Sequence, residues 1–204
     1  MSAAAASHDL HYSAFLSYCR GDEAVARRIH RKLEGYRLPR RLQAHNDAWD
    51  PARRRLKPLF RDLDDMTAAP DINTAVQDAM AASRFMVVLC TPKAAKSEWV
   101  GREIAMFRHL HGDDLILAAL VDGLPEEAFH PALLSREDGG GLLQPLAADF
   151  REEGDGPRLA LLKLVAVMAG VGLGELVQRD AQRRMWQMGM WALGTVAVLL
   201  VVLA

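Results

Sequence analysis

The chain has little of what most small-molecule sites are built from. Cysteine is nearly absent: only Cys19 and Cys90 occur, with no C-x-x-C pair and no histidines at ligand spacing. That excludes a disulfide framework and argues against zinc, and leaves two buried thiols in a reducing compartment as the plain reading. His109 and His111 are two residues apart on one helix, so they point to different faces and do not share a metal. Net charge is also lacking. Lys and Arg number 25 against 26 Asp and Glu, a balance of -1, so no overall field draws the chain to nucleic acid. No G-x-G-x-x-G opens a helix and no Walker lysine follows a glycine-rich loop, which leaves a Rossmann dinucleotide site and a P-loop unsupported. The first residues carry neither a basic start nor an apolar signal core. Residues 1–9 therefore read as a disordered lead-in rather than a secretory signal.

What the sequence does have is apolar residues, half of its 204 positions, enough for one packed domain plus an accessory segment. Strand candidates alternate with amphipathic helices. Tyr12 to Tyr18 is a strand, and Asp22 is placed to cap a helix with Val25, Ile29 and Leu33 on one face. Lys57 to Arg61 is a short strand. A helix from Ile72 to Ala82 and a continuous apolar strand from Phe85 to Cys90 follow. Ser97 caps a helix to His109 with Val100, Ile104 and Phe107 inward, and Leu115 to Val121 is another buried strand. The fifth strand is the weakest, placed around Leu142 to Leu146, before a helix from Leu159 to Ala169. This rhythm implies right-handed crossovers and a doubly wound, flavodoxin-like α/β domain with a parallel sheet, over residues 10–170. A helical connector is expected over 171–184.

Two segments exceed what such a domain needs. Residues 35–57 carry Arg37, Arg40, Arg41, Arg53, Arg54, Arg55 and Lys57 against Asp47 and Asp50. They are either a solvated loop or a contact for anionic headgroups. Met185 to Ala204 is a run of 20 residues without a charge, the length a helix needs to cross a bilayer. Trp186 and Trp191 stand near its entry, and Arg179, Arg183 and Arg184 precede it. The expectation is a single-pass transmembrane helix at 185–204, with the lipid bilayer as a partner and the preceding domain in the cytoplasm.

In an open parallel sheet, ligands bind beyond the carboxyl ends of the strands. Ser17 to Gly21, Arg61 to Asp65, Thr91-Pro92 and Asp122-Gly123 fall there. Three motifs on these elements resemble one family. Tyr12-Ser13-Ala14-Phe15-Leu16-Ser17-Tyr18 resembles the first box of TIR (Toll/interleukin-1 receptor) domains. Phe60-Arg61-Asp62, with the stretch to Asp71 and then Ser83-Arg84, resembles the second box and its BB loop. Ser97-Glu98-Trp99-Val100-Gly101-Arg102-Glu103 resembles the S-x-W-x-x-x-E segment of the third helix. The order and spacing match from about Leu10 to Gly123. One departure stands out: BB loops usually carry a glycine near the tip, where this chain has Ala68-Ala69-Pro70.

The resemblance implies that Glu103 is the glutamate with which catalytic TIR domains break the nicotinamide–ribose bond of NAD. The chemistry suits a single carboxylate. Nicotinamide leaves from a cationic pyridinium and needs no general acid, while the ribosyl centre becomes oxocarbenium-like and is stabilised by nearby negative charge. Trp99, four residues earlier, shares the helix face of Glu103. Phe15, Tyr18 and Arg20 are candidates to meet adenine and phosphate, and Arg61 and Asp62 are further substrate-binding candidates. Each also has a structural reading: a strand-end core residue, an exposed arginine, a soluble acidic loop. NAD is the substrate and no cofactor is expected. Glu103 is expected at the edge of the core, near the mouth and without a buried partner. The resemblance also implies self-association through TIR domains. The competing reading is a non-enzymatic TIR adaptor acting only by such contacts. A receiver domain is set aside, because it needs an aspartate where Cys90-Thr91 end the third strand.

Overall fold

The computed structural model describes residues 10–39, 42, 48–51, 55–61, 74–135, 147–183 and 185. In chain order these form β1 (Tyr12–Ser17), α1 (Glu23–Gly35), β2 (Trp49–Asp50), β3 (Arg55–Leu56), β4 (Leu59–Arg61), α2 (Thr74–Ala81), β5 (Ser83–Cys90), α3 (Glu98–His111), β6 (Ile116–Leu120), α4 (Pro125–Ala128), α5 (Pro131–Leu134), β7 (Ala148–Asp149) and α6 (Gly156–Ala169). The main sheet runs β4-β1-β5-β6-β7, and every neighbouring pair is parallel. With the antiparallel β2–β3 ribbon of the basic insertion set aside, this is the flavodoxin-like strand order.

Strand periodicity sorts the core into two layers. Ala14 and Leu16 of β1, with Phe85, Val87 and Leu89 of β5, pack on the side of α1 and α6. Phe15, Met86, Val88 and Cys90 face the side of α2 and α3. Each face needs its own helical cover, which is why β5 reads as an unbroken apolar run. On α3, Val100, Ile104 and Phe107 are fully buried, as their spacing requires.

Three sequence expectations meet a different outcome or fall outside the described residues. The strand that pairs with β6 is Ala148–Asp149; the stretch around Leu142 to Leu146 lies outside the described residues. Asp22 precedes α1 but gives it no side-chain cap. Its carboxylate instead accepts the Thr91 hydroxyl at 2.6 Å, a tertiary bond that capping statistics do not anticipate. The expected transmembrane helix from residue 186 onward also lies outside the described residues, and among those described no helix is long and apolar enough to cross a membrane. The connector is helical over 173–183.

The order of the strands fixes where loops diverge. From β1 the chain crosses to β4 on one side, whereas β5 takes the other, so the loops after β1 and β5 part and leave a crevice at their carboxyl ends. Phe15 lies under that crevice, 0 % exposed and stacked on Phe60 with centroids 5.5 Å apart. Phe15→Ala should cost about 3–5 kcal/mol of stability, the range for truncating a buried phenylalanine. Urea denaturation followed by circular dichroism measures it; a loss below about 1 kcal/mol would remove Phe15 from the core.

Candidate functional site at the carboxyl end of β1

Alternation along β1 decides which residues meet. Ser17 points to the α3 side and Tyr18 to the opposite side, where it packs half-buried against the α1–α6 layer. Across the crevice stands α3, started by Ser97, whose hydroxyl accepts the Val100 amide. Trp99 and Glu103 lie one helical turn apart on the same face.

These residues converge on one carboxylate. Ser17 Oγ donates to Glu103 Oε2 at 2.6 Å, and Trp99 Nε1 donates to Glu103 Oε1 at 2.9 Å. Glu103 is 2 % exposed. It therefore lies inside the core boundary with a buried partner, Ser17, and a half-buried one, Trp99, against the expectation of an edge position. The stripe Val100, Ile104, Phe107 misplaces Glu103 because β1 covers the flank of the helix that the stripe leaves open. Removing a carboxylate from water is costly unless donors replace the water, and two are in place here, one on each oxygen.

The loops around this pair are tied to one another. Thr91, just past β5, donates to Asp22 and accepts the Ala94 amide at 3.0 Å, which joins the segments following β1 and β5. Gly123, with φ 78°, lies against Pro92; a Cβ there would come within 2.5 Å of the proline ring. Behind α3, the His130 ring fills the space that a side chain at Gly101 would take, at 2.6 Å from the Cβ position. His130 Nδ1 accepts the Ala132 amide at 3.0 Å. The helix that carries Trp99 and Glu103 is thus wedged from its far side.

The other candidates are spread around the crevice. Phe15 shares the Ser17 face but is sealed in the core and does not reach the crevice. Arg20 is exposed, in the short helical turn Arg20–Asp22. Arg61 ends β4 with its side chain only 8 % exposed, 3.7 Å from Glu23 in the first turn of α1. Its Nε and Nη1 are buried without a hydrogen-bond partner among the described residues. Donors left in that condition are rare in native proteins and call for an explanation, such as an anion they await. Asp62 lies outside the described residues. Sequence reasoning overlooked Lys93, whose side chain lies over Gly21 with Nζ 3.4 Å from a Cβ built there; only the fold brings the two loops together. Cys90 is inert by burial, its thiol pushed up to about 12. Among the described residues, no cluster of three or more His, Cys, Asp or Glu could hold a metal ion.

Comparison with known proteins agrees with this architecture. A family model described as TIR domain matches residues 14–162. One curated relative, the NAD(+) hydrolase ApTIR of Actinoplanes sp., is 32% identical over 115 residues. The match takes in 56% of this chain and 14% of that protein, so the chain spans a small part of its relative's length. Among solved structures, a TIR-STING receptor from C. gigas aligns with 22% identity and a TM-score of 0.43, over 65% of this chain and 38% of that one. The TIR domains of the activated Roq1 resistosome align with 13% identity and a TM-score of 0.38, over 84% and 98%.

The wedge behind α3 has a pH signature. Burial holds His130 below its ordinary value of 6.5, against a smaller opposing effect from the Ser97 backbone. The unfolded chain therefore takes up this proton at higher pH than the folded chain. Stability from the neutral ring is present above the ordinary value and is lost as pH falls below it. Thermal melts from pH 7.5 down to about pH 5 should show a fall that His130→Gln flattens. An equal fall in both proteins would place the effect elsewhere.

Proposed function

Because the chain belongs to the TIR domain family, we propose that it is a membrane-anchored cytoplasmic NAD glycohydrolase in which Glu103 faces the reacting ribose. The observation that carries this reading is the pair of hydrogen bonds from Ser17 and Trp99 to the two Glu103 oxygens. An isolated helical glutamate would turn to solvent. This one is kept inward and oriented at the switch-point crevice, where an open parallel sheet binds ligands. The curated relative named as an NAD(+) hydrolase supports the same chemistry.

In the proposed reaction the glycosidic C–N bond breaks and both its electrons leave with nicotinamide, which departs neutral. The positive charge passes to the ribosyl centre, and the Glu103 carboxylate stabilises it. Water then adds to that centre and loses a proton, giving ADP-ribose; capture by an adenine nitrogen instead gives a cyclic product. Ser17 and Trp99 hold the carboxylate's orientation, so its charge is in place before it is needed. Arg61, whose Nε and Nη1 have no hydrogen-bond partner among the described residues, offers them to the diphosphate, for which a guanidinium fork is well matched. Tyr18, Arg20 and Asp62 are assigned to the outer part of the substrate.

The burial of Glu103 adds a condition. At 2 % exposure the single chain leaves almost none of the carboxylate to a substrate, so an encounter must uncover it. Self-association through TIR domains is the encounter this reading assigns, and a bilayer tether at 185–204 would raise the effective concentration for it. The same burial favours the second reading, an adaptor in which Glu103 only fastens α3 to β1.

Release of free nicotinamide from NAD by the full chain separates the two. Glu103→Gln is well suited to the test: its amide oxygen can accept from Trp99 while its NH2 donates to the Ser17 hydroxyl, so the bonds survive and the charge is lost. If that charge supplies about 3–4 kcal/mol in the transition state, the rate falls on the order of 100-fold or more with the melting temperature little changed. Glu98→Gln, at an exposed site ion-paired with Arg102 at 3.8 Å, should retain near-parental activity. Parental activity in folded Glu103→Gln would sink the enzymatic assignment. Specific activity of the full chain should also climb with protein density in the vesicle membrane; a flat profile would mean that a single chain suffices.

A further inference from the structure

The basic residues of α1 and its surroundings are not used by the proposed chemistry. Arg28, Arg31 and Lys32, at i, i+3 and i+4, form one exposed stripe, and Arg37 is exposed just beyond the helix. The described carboxylates of α1 and of the connector helix are committed elsewhere. Glu23 pairs with Arg27 and Arg61. Glu34 accepts the Leu59 amide at 3.0 Å and lies 3.6 Å from His30. Asp180 pairs with Arg158 and Glu175 with Arg179. Among the described residues, no carboxylate pairs with Arg28, Arg31, Lys32, Arg37 or Arg183. The C-terminus of α1 favours a cation or two, but that bias does not account for Arg37, which lies beyond the helix, or for Arg183, which belongs to another one.

Position gives the patch a meaning. The Glu34 bond to Leu59 puts the end of α1 at the amino end of β4, and Lys57 Nζ donates to the Leu10 carbonyl at the amino end of β1. The chain leaves the domain at the same place: Arg183 Nη1 donates to the Arg37 carbonyl at 3.3 Å, two residues before the uncharged run that begins at Met185. The opposite end of α1, where Glu23 meets Arg61, is the end that holds the candidate site. The two ends are about 20 Å apart along the helix.

We propose that Arg28, Arg31, Lys32, Arg37 and Arg183 form a docking surface for an anionic bilayer, which seats the amino edge of the sheet on the headgroups and holds the Glu103 edge away from them. This rests on the membrane reading of residues 185–204. Lipid is the occupant because the patch adjoins the exit toward that run and because the chain as a whole, at -1, has no excess charge for nucleic acid. Each basic side chain near an anionic leaflet strengthens docking about fivefold. Arg31→Gln, Lys32→Gln and Arg37→Gln together should therefore weaken it on the order of 100-fold.

The test uses the full chain in vesicles with a nitroxide-headgroup lipid, in a Cys19→Ser background with buried Cys90 retained. A bimane probe is attached at Gly35→Cys, an exposed position with open space for a side chain. A second protein carries it at exposed Asp122→Cys, on the carboxyl edge. With phosphatidylserine present, quenching is expected at position 35 and not at 122, and it should fall with added salt. It should disappear in pure phosphatidylcholine and in the triple glutamine variant. Flotation of the same samples reads the tether separately. If the chain floats but quenching at position 35 is the same with and without phosphatidylserine, the docking surface is wrong and the tether stands. If it does not float, the membrane reading fails and the docking surface with it. Retention of the patch by double-stranded DNA, lost in the triple variant and without any lipid effect, would assign it to another partner and overturn the proposal.

Discussion

A carboxylate withdrawn from water has to be answered by donors, and the structure around Glu103 is arranged to meet that requirement. Ser17 supplies one from the last residue of a central strand and Trp99 the other from the helix's own previous turn. Because one donor is local and the other comes from 86 residues away, the bond set forms only when β1 and α3 are correctly packed. The Ser17–Glu103 bond consequently fastens helix to sheet at the point where the crevice opens. The same bond shields the carboxylate, since one satisfied by protein donors is also withdrawn from anything in solution.

Around this pair the fold uses close contacts in place of long loops. The Asp22–Thr91 bond joins the turns after β1 and β5. Pro92 sits where only a glycine at 123 leaves room, and the His130 ring sits where only a glycine at 101 does. Each contact fixes a neighbour of the crevice. At the end of the adjacent strand, the Arg61 guanidinium has Nε and Nη1 without a hydrogen-bond partner among the described residues. On the function proposed above, this cation and the inward-held Glu103 anion are the groups assigned to the diphosphate and the pyridinium side of NAD.

Much of this was legible before any coordinates. The strand runs, the α3 stripe, the Ser97 cap and the parallel order follow from periods of two and 3.6 with capping chemistry, which are local properties of the chain. Glu103 and Trp99 could be paired from their spacing alone. The burial of Glu103 was not recoverable, because a helix's inward stripe says nothing about what covers its flank. Phe15 and Tyr18 looked alike as strand-end aromatics. Alternation puts Phe15 on Ser17's side and Tyr18 on the other, but how deep each lies, and under which helices, depends on the packing of β1 between β4 and β5. Asp22 read as a cap because Asp before a helix usually is one; the Thr91 hydroxyl that takes it lies 69 residues on.

What the sequence determined by itself, then, is the α/β class, the positions of most elements and the identity of the helix bearing the candidate glutamate, since hydrophobic periodicity and end signals act over a few residues. The tertiary structure alone decided that Glu103 is buried, that Ser17 holds it, that the Arg61 guanidinium is buried beside Glu23, and that the basic stripe of α1 runs toward the end opposite the site. These are relations between segments far apart in the chain. They arise from strand order and register, which no local pattern encodes.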